Sequence, residues 1–165
     1  MNIVLIGMPA AGKSTVGVLL AKKLAMEFVD TDILIQQRRR SGLQEIVDTF
    51  GYRALREIEE EVIVSLDVSN AVIATGGSAV YSGKAVTHLR ENGKLVYLKA
   101  DRERLLARID DYATRGIAAP ADQTFESLFE ERTGLYERYG DVVIGCGSGT
   151  HDEVVSRIME KTGRR

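Results

Sequence analysis

Short apolar runs alternate along this chain with longer stretches of helical spacing. Five runs read as strands: residues 3–6, 28–29, 71–74, 95–98 and 142–144. They are brief, bounded by turn residues and rich in Val and Ile, which favours strand over helix. Between them, apolar positions recur every three or four residues over 13–25, 33–40, 53–66, 84–91, 102–110 and 125–139, the period of an amphipathic helix. A last helix starts at Thr150, where Thr150-His151-Asp152-Glu153 has the form of a capping box ahead of Val154, Val155 and Ile158. Strands without polar alternation are buried on both faces, as in a parallel sheet covered by helices. The pattern therefore predicts an α/β fold in three layers, α/β/α, around a five-stranded parallel sheet. No repeat, low-complexity tract or linker divides the chain, so 1–165 reads as one domain.

Ligands of such a sheet sit outside the carboxyl ends of its strands. The first strand ends there in Gly7-Met8-Pro9-Ala10-Ala11-Gly12-Lys13-Ser14-Thr15, which opens the first helix. A strand, a glycine-rich loop and a helix N-terminus in that order form a phosphate-binding P-loop. The glycines let backbone N–H groups turn inward on one anion, and the helix dipole adds partial positive charge there. Lys13 is placed to reach the β- and γ-phosphates, and the Ser14 hydroxyl to sit on Mg²⁺.

Composition narrows the partners. Apolar residues make up 44% and charged residues 28% of the 165, and the formal net charge of -2 gives no basic footprint for nucleic acid. No apolar run approaches the ~20 residues of a membrane span, and Met1-Asn2 lacks the basic lead of a signal peptide. The lone Cys146 excludes an internal disulfide, fits a reducing compartment and, without a partner nearby, reads as an inert thiol. A cytoplasmic chain is the expectation. His88 and His151 are isolated, no metal-ligand spacing surrounds them, and Arg38-Arg39-Arg40 reads as a solvated helix face.

Other candidates follow later strands. Asp30-Thr31-Asp32 offers two carboxylates for a metal-bound water and a substrate hydroxyl, or equally a helix N-cap and a first-turn acid. Arg56 and Glu59 lie three apart on a helix, either as a carboxylate-binding fork oriented by its neighbour or as a surface ion pair. Thr75-Gly76-Gly77-Ser78 is a ligand-contacting loop or a routine turn. The irregular stretch 109–123, with Gly116 and Pro120, has the character of a lid carrying Arg115 onto a transferred phosphate, or of a solvated loop. Arg132 reads as an anion contact or an exposed helix arginine.

With these residues in order, the chain resembles the shikimate kinase family, a branch of the P-loop kinases with a nucleoside-monophosphate-kinase-like fold. The likeness runs from Ile3 to about Ile158 and is carried by the loop ending Gly12-Lys13-Ser14-Thr15, by Phe28-Val29-Asp30-Thr31-Asp32, by Leu55-Arg56 with Glu59, by Ala74-Thr75-Gly76-Gly77, and by Glu131-Arg132 before Leu135-Tyr136. The resemblance implies a monomeric kinase with a lid over about 109–123. It implies ATP and Mg²⁺ as cofactors and phosphorylation of shikimate to shikimate 3-phosphate, a step of aromatic amino acid biosynthesis. Carried over, Gly7, Ala10, Ala11, Gly12, Lys13, Ser14, Thr15 and Arg108 would surround the nucleotide, with Ser14 and Asp30 on the metal side. Lys13, Asp32 and Arg115 would be catalytic. Asp32, Arg56, Gly76, Gly77, Ser78 and Arg132 would hold the acceptor, the two arginines on its carboxylate. Three positions depart from the family pattern: Ser78 replaces a third glycine, Arg115-Gly116-Ile117-Ala118 replaces Arg-Pro-Leu-Leu, and Gly134 stands where a proline is common. Two further expectations stand beside this one, a kinase for another small hydroxy acid or alcohol such as gluconate or homoserine, and a nucleotide-binding regulator without catalysis.

Overall fold

The computed structural model describes residues 1–109, 115–147 and 149–164. Five parallel strands, β1 (Asn2–Ile6), β2 (Glu27–Asp30), β3 (Ala71–Ala74), β4 (Gly93–Lys99) and β5 (Val142–Gly145), form one sheet in the order β2-β3-β1-β4-β5. Val4 pairs with Ile73 on one side and Leu95 on the other. β1 and β3 are buried at every residue, so both faces of the sheet centre are covered, as their unbroken apolar sequences require. The edge strand β5 alternates buried and exposed positions instead. All five expected strands are present.

The helices are α1 (Lys13–Leu24), α2 (Thr31–Arg39), α3 (Leu43–Phe50), α4 (Tyr52–Val64), α5 (Gly83–Glu91), α6 (Arg102–Arg108), α7 (Phe125–Tyr139) and α8 (His151–Thr162), with a 3₁₀ turn at Ala79–Tyr81. Side-chain oxygens start several of them. Asp30 caps α2, Ser82 caps α5 and Thr124 caps α7. Thr150 and Glu153 close the expected capping box at α8.

One helix goes beyond the expectation. No element is predicted over 41–52, yet α3 forms there, with Leu43, Ile46, Val47 and Phe50 at helical spacing between Gly42 and Gly51. Its reason is tertiary. Ile35, Ile46, Leu55, Ile58, Val62 and Ala118 make a small buried cluster of their own, apart from the main core on the sheet. That cluster ties α2, α3 and α4 to the segment after Arg115. Part of the expected lid, 110–114, lies outside the described residues. No helix among the described residues is long and apolar enough to cross a membrane.

β1 lies between β3 and β4, where the chain's strand order reverses. Such a switch point opens a crevice at the carboxyl ends of the strands, and the loop after β1 faces it.

Candidate active site

The loop from Gly7 to Gly12 curls back on itself. Ala10 and Gly12 have φ of 65° and 92°, the left-handed region, which costs an alanine more than a glycine. Lys13 is buried, and its ammonium donates to the Gly7 and Met8 carbonyls at 2.8 Å each. Burial pulls its pKa down to about 8, against the attraction of Asp32.

Beside it, Asp30 is the helix N-cap, one of its two expected readings. Its Oδ1 caps α2, accepting from the Asp32 and Ile33 N–H groups at 3.0 and 3.3 Å, while Oδ2 accepts from the Ser14 hydroxyl at 2.6 Å. This hard-oxygen pair at the loop mouth suits Mg²⁺, which prefers one or two protein oxygens plus phosphates and water to an all-protein cage. No cluster of three or more His, Cys, Asp or Glu with metal-binding geometry occurs among the described residues.

One cavity of about 310 Å³ runs from the loop to the far side of the crevice. Its wall includes Ala10, Gly12, Lys13, Ser14, Thr15, Asp32, Gly76, Gly77, Ser78, Arg115 and Arg132. The three segments that follow β1, β2 and β3 thus converge as the strand pattern predicts. Two threonines join them: Thr31 Oγ1 accepts from the Gly76 N–H at 3.0 Å, and Thr75 Oγ1 donates to the Leu5 carbonyl at 3.1 Å. Gly76 is required for close approach. A Cβ there would fall on Glu59 Oε1 and 2.7 Å from Asp32 Oδ1, so two carboxyl oxygens flank one side of its Cα. Burial raises the Asp32 carboxyl, Lys13 pulls it down and Asp30 adds to the rise.

Glu59 carries more weight than its spacing suggests. It is buried, one oxygen accepts from the Ser78 hydroxyl, and Oε1 has no hydrogen-bond partner among the described residues. Burial, then the Asp32 charge, push its pKa up to about 7, while Ser78, Arg132 and Lys13 act the other way. The expected Arg56–Glu59 pair does not form. Ser78, a hydroxyl in place of a third glycine, takes the Glu59 carboxylate, and Arg56 turns elsewhere. Arg56 does not line the main cavity; it lies in an adjoining groove of about 250 Å³ that shares Glu59 and Ser78 with it.

Arg56 Nε and Arg132 Nη2 donate to the same acceptor, the Ala118 carbonyl, at 3.0 Å each. Arg132 is 1% exposed, far from the solvated helix arginine its spacing allowed. The ring of Tyr81, a residue that the sequence reading passes over, lies 3.7 Å from Arg56 Cζ and 5.5 Å from Arg132 Cζ. Arg115 is exposed at the cavity rim and donates to the Arg108 carbonyl at 2.7 Å, while the Arg108 side chain reaches the Ala10 carbonyl at 3.3 Å. Gly7 and Ala11 belong to the loop but not to the cavity wall. Cys146 is buried with its thiol pKa raised by that burial, in keeping with an inert role. Arg38, Arg39 and Arg40 are exposed, as expected.

A family model described as shikimate kinase matches residues 9–162. A shikimate kinase from Paracidovorax citrulli is 40% identical over 155 residues, covering 90% of this chain and 84% of its own length. One from Francisella tularensis subsp. novicida is 37% identical over 161 residues, covering 95% and 92%. The solved structure of shikimate kinase from Acinetobacter baumannii in complex with shikimate superposes with a TM-score of 0.84 at 28% identity, over 98% of this chain and 92% of that one. With a P-loop facing buried carboxyl and guanidinium groups across one crevice, this chain belongs to the shikimate kinase family, whose members are small-molecule kinases that use ATP.

Proposed function

We propose that this chain transfers the γ-phosphoryl group of ATP to a ring hydroxyl of shikimate, giving shikimate 3-phosphate. The observation that carries the reading is one shared cavity, lined by the P-loop with its buried Lys13, by Asp32 and by the buried Arg132. The Acinetobacter relative holds shikimate in the same fold.

The residues divide the work. Backbone N–H groups of the loop and α1 hold the phosphates, and Lys13 places positive charge beside the group in flight. Ser14 and, through water, Asp30 hold Mg²⁺, which when bound neutralises phosphate charge. Asp32 accepts the proton of the acceptor hydroxyl. Arg56 and Arg132 bind the acceptor's carboxylate as a charged fork, with Gly76, Gly77 and Ser78 forming the floor beneath it. Arg115 covers the phosphates from the lid, and Arg108 flanks the loop at the nucleotide side. On this reading residues 1–165 act as one catalytic domain, a cytoplasmic monomer with no nucleic-acid or membrane partner.

A coupled assay with ATP and Mg²⁺ tests it over a panel of shikimate, gluconate, homoserine and no acceptor. Turnover that depends on shikimate and stands well above the ATPase background is expected. Preference for another acceptor, or nucleotide binding with no transfer at all, overturns it.

A further inference from the structure

Two guanidinium groups brought to one carbonyl oxygen repel each other, and the repulsion grows as water is excluded. Arg56 and Arg132 are in that position at the Ala118 carbonyl. One carbonyl cannot offset two charges; Glu131 attracts Arg56 and Glu59 attracts Arg132, but neither carboxyl closes an ion pair with them among the described residues. What lies against both is the Tyr81 ring, whose negative π-face attracts cations. At 3.7 Å from the centroid, the Arg56 guanidinium stacks directly on it, while the Tyr52 ring lies 5.1 Å away from the same group.

The ring is itself held. Its hydroxyl donates to Glu131 Oε1, and Glu131 Oε2 accepts from Gln123 Nε2 at 3.1 Å. Tyr81 ends the 3₁₀ turn that directly follows Gly76-Gly77-Ser78, so the cavity floor and the arginine platform are one continuous piece of chain. Tyr136 fixes that piece from below, donating to the Gly77 carbonyl at 2.6 Å.

We propose that Tyr81 is a positioning residue for acceptor binding, an aromatic platform that holds Arg56 and Arg132 together as one carboxylate-binding fork. Glu131 fixes the angle of the platform. Tyr81 lines the groove of Arg56 and not the cavity that holds the phosphate loop and Asp32, so its effect falls on the acceptor's carboxylate and not on phosphoryl transfer. The inference rests on the acceptor reading given above.

Steady-state kinetics of the full chain with shikimate and ATP test it. For Tyr81→Leu, the KM for shikimate is expected to rise roughly 3- to 30-fold, the range of a partly desolvated cation–π contact. The kcat and the KM for ATP should stay within about 2-fold. Tyr81→Phe keeps the π-face and should recover most of the loss. In an Arg56→Ala background the same Tyr81→Leu change should add little, because its main client is already gone. Full additivity with Arg56→Ala, or equal losses in kcat and in the KM for ATP, overturns the platform role. Circular dichroism and thermal melts of each variant confirm that the kinetics report folded protein, and Tyr81→Phe carries the test if Tyr81→Leu does not fold. In that case a Tyr81→Phe enzyme several-fold weaker for ATP as well as shikimate counts against the proposal. Failure of the acceptor reading looks different: the parent chain itself does not turn over shikimate.

Discussion

The two sides of the crevice are built by opposite strategies. The phosphate side is one continuous loop-and-helix segment braced by the end of β2, and its polar groups satisfy each other: Lys13 on the Gly7 and Met8 carbonyls, Ser14 on Asp30, and Asp30 on the first N–H groups of α2. The acceptor side is gathered from α2, α4, the turn after β3, the segment after Arg115, and α7. It retains two buried polar atoms with no hydrogen-bond partner among the described residues, Glu59 Oε1 and Arg132 Nε, and rests partly on its own apolar cluster. A phosphate group asks for backbone N–H groups and a dipole, which local folding supplies. A small acceptor asks for side chains at set distances in several directions, which only packing supplies.

The comparison breaks most visibly at Lys13. Lys13→Ala removes the one buried cation of the phosphate side and should lower kcat by at least 10²- to 10³-fold, the scale for losing a group aimed at transition-state charge. A coupled assay measures it, and near-normal turnover would remove Lys13 from its assigned role.

Next comes Glu59 on the other side. Its pKa of about 7 in the folded chain exceeds the ordinary 4.5, so the folded state holds the proton more tightly than the unfolded one. That contribution to stability is fully present below about pH 4.5 and is lost as pH rises through about 7. Glu59→Gln removes the dependence. Denaturant melts should show the variant gaining on the parent between pH 4.5 and 8 by up to about 3 kcal/mol. A difference that stays flat with pH would place Glu59 in a more polar setting than its burial indicates.

Arg56→Ala sharpens the division of labour. Loss of one charged contact is worth about 2 kcal/mol, or some 30-fold, and it should appear in the KM for the acceptor and not for ATP. The smallest effect is expected at α3. Gln44 Oε1 accepts from the Gly116 N–H at 2.7 Å and so ties the segment beside Arg115 to that helix. Gln44→Ala should cost about 1 kcal/mol of stability, a melting shift of roughly 2–4 °C, with a smaller rise in acceptor KM than Arg56→Ala gives.

Much of the phosphate side was legible from residues alone, because strand, loop and helix follow each other within a dozen positions. Asp30 was legible only as a pair of alternatives, of which the structure shows the helix N-cap. On the acceptor side Gly76, Asp32 and Arg132 could be nominated, but not their surroundings. Arg132 shares its spacing with solvated helix arginines, and only the packing of α7 against the turn after β3 makes it a buried charge. Glu59 and Arg56, three apart on α4, have the spacing of an ion pair. Ser78, nineteen residues away from Glu59, takes the carboxylate instead. The missed α3 had a helical pattern in Leu43, Ile46, Val47 and Phe50. It is short, and short helices draw their stability from the face they bury; here Ile46 enters the cluster shared with Ile35, Leu55 and Ala118.

The sequence by itself determined the strands, their burial on both faces and the P-loop at the end of β1, since each is written in residues a few positions apart. Tertiary structure alone decided which carboxyl meets which guanidinium, that Tyr81 lies under two arginines, and that Glu59 loses its water. Those are outcomes of long-range packing, where side chains far apart in sequence compete for the same partners and burial sets the strength of every charge.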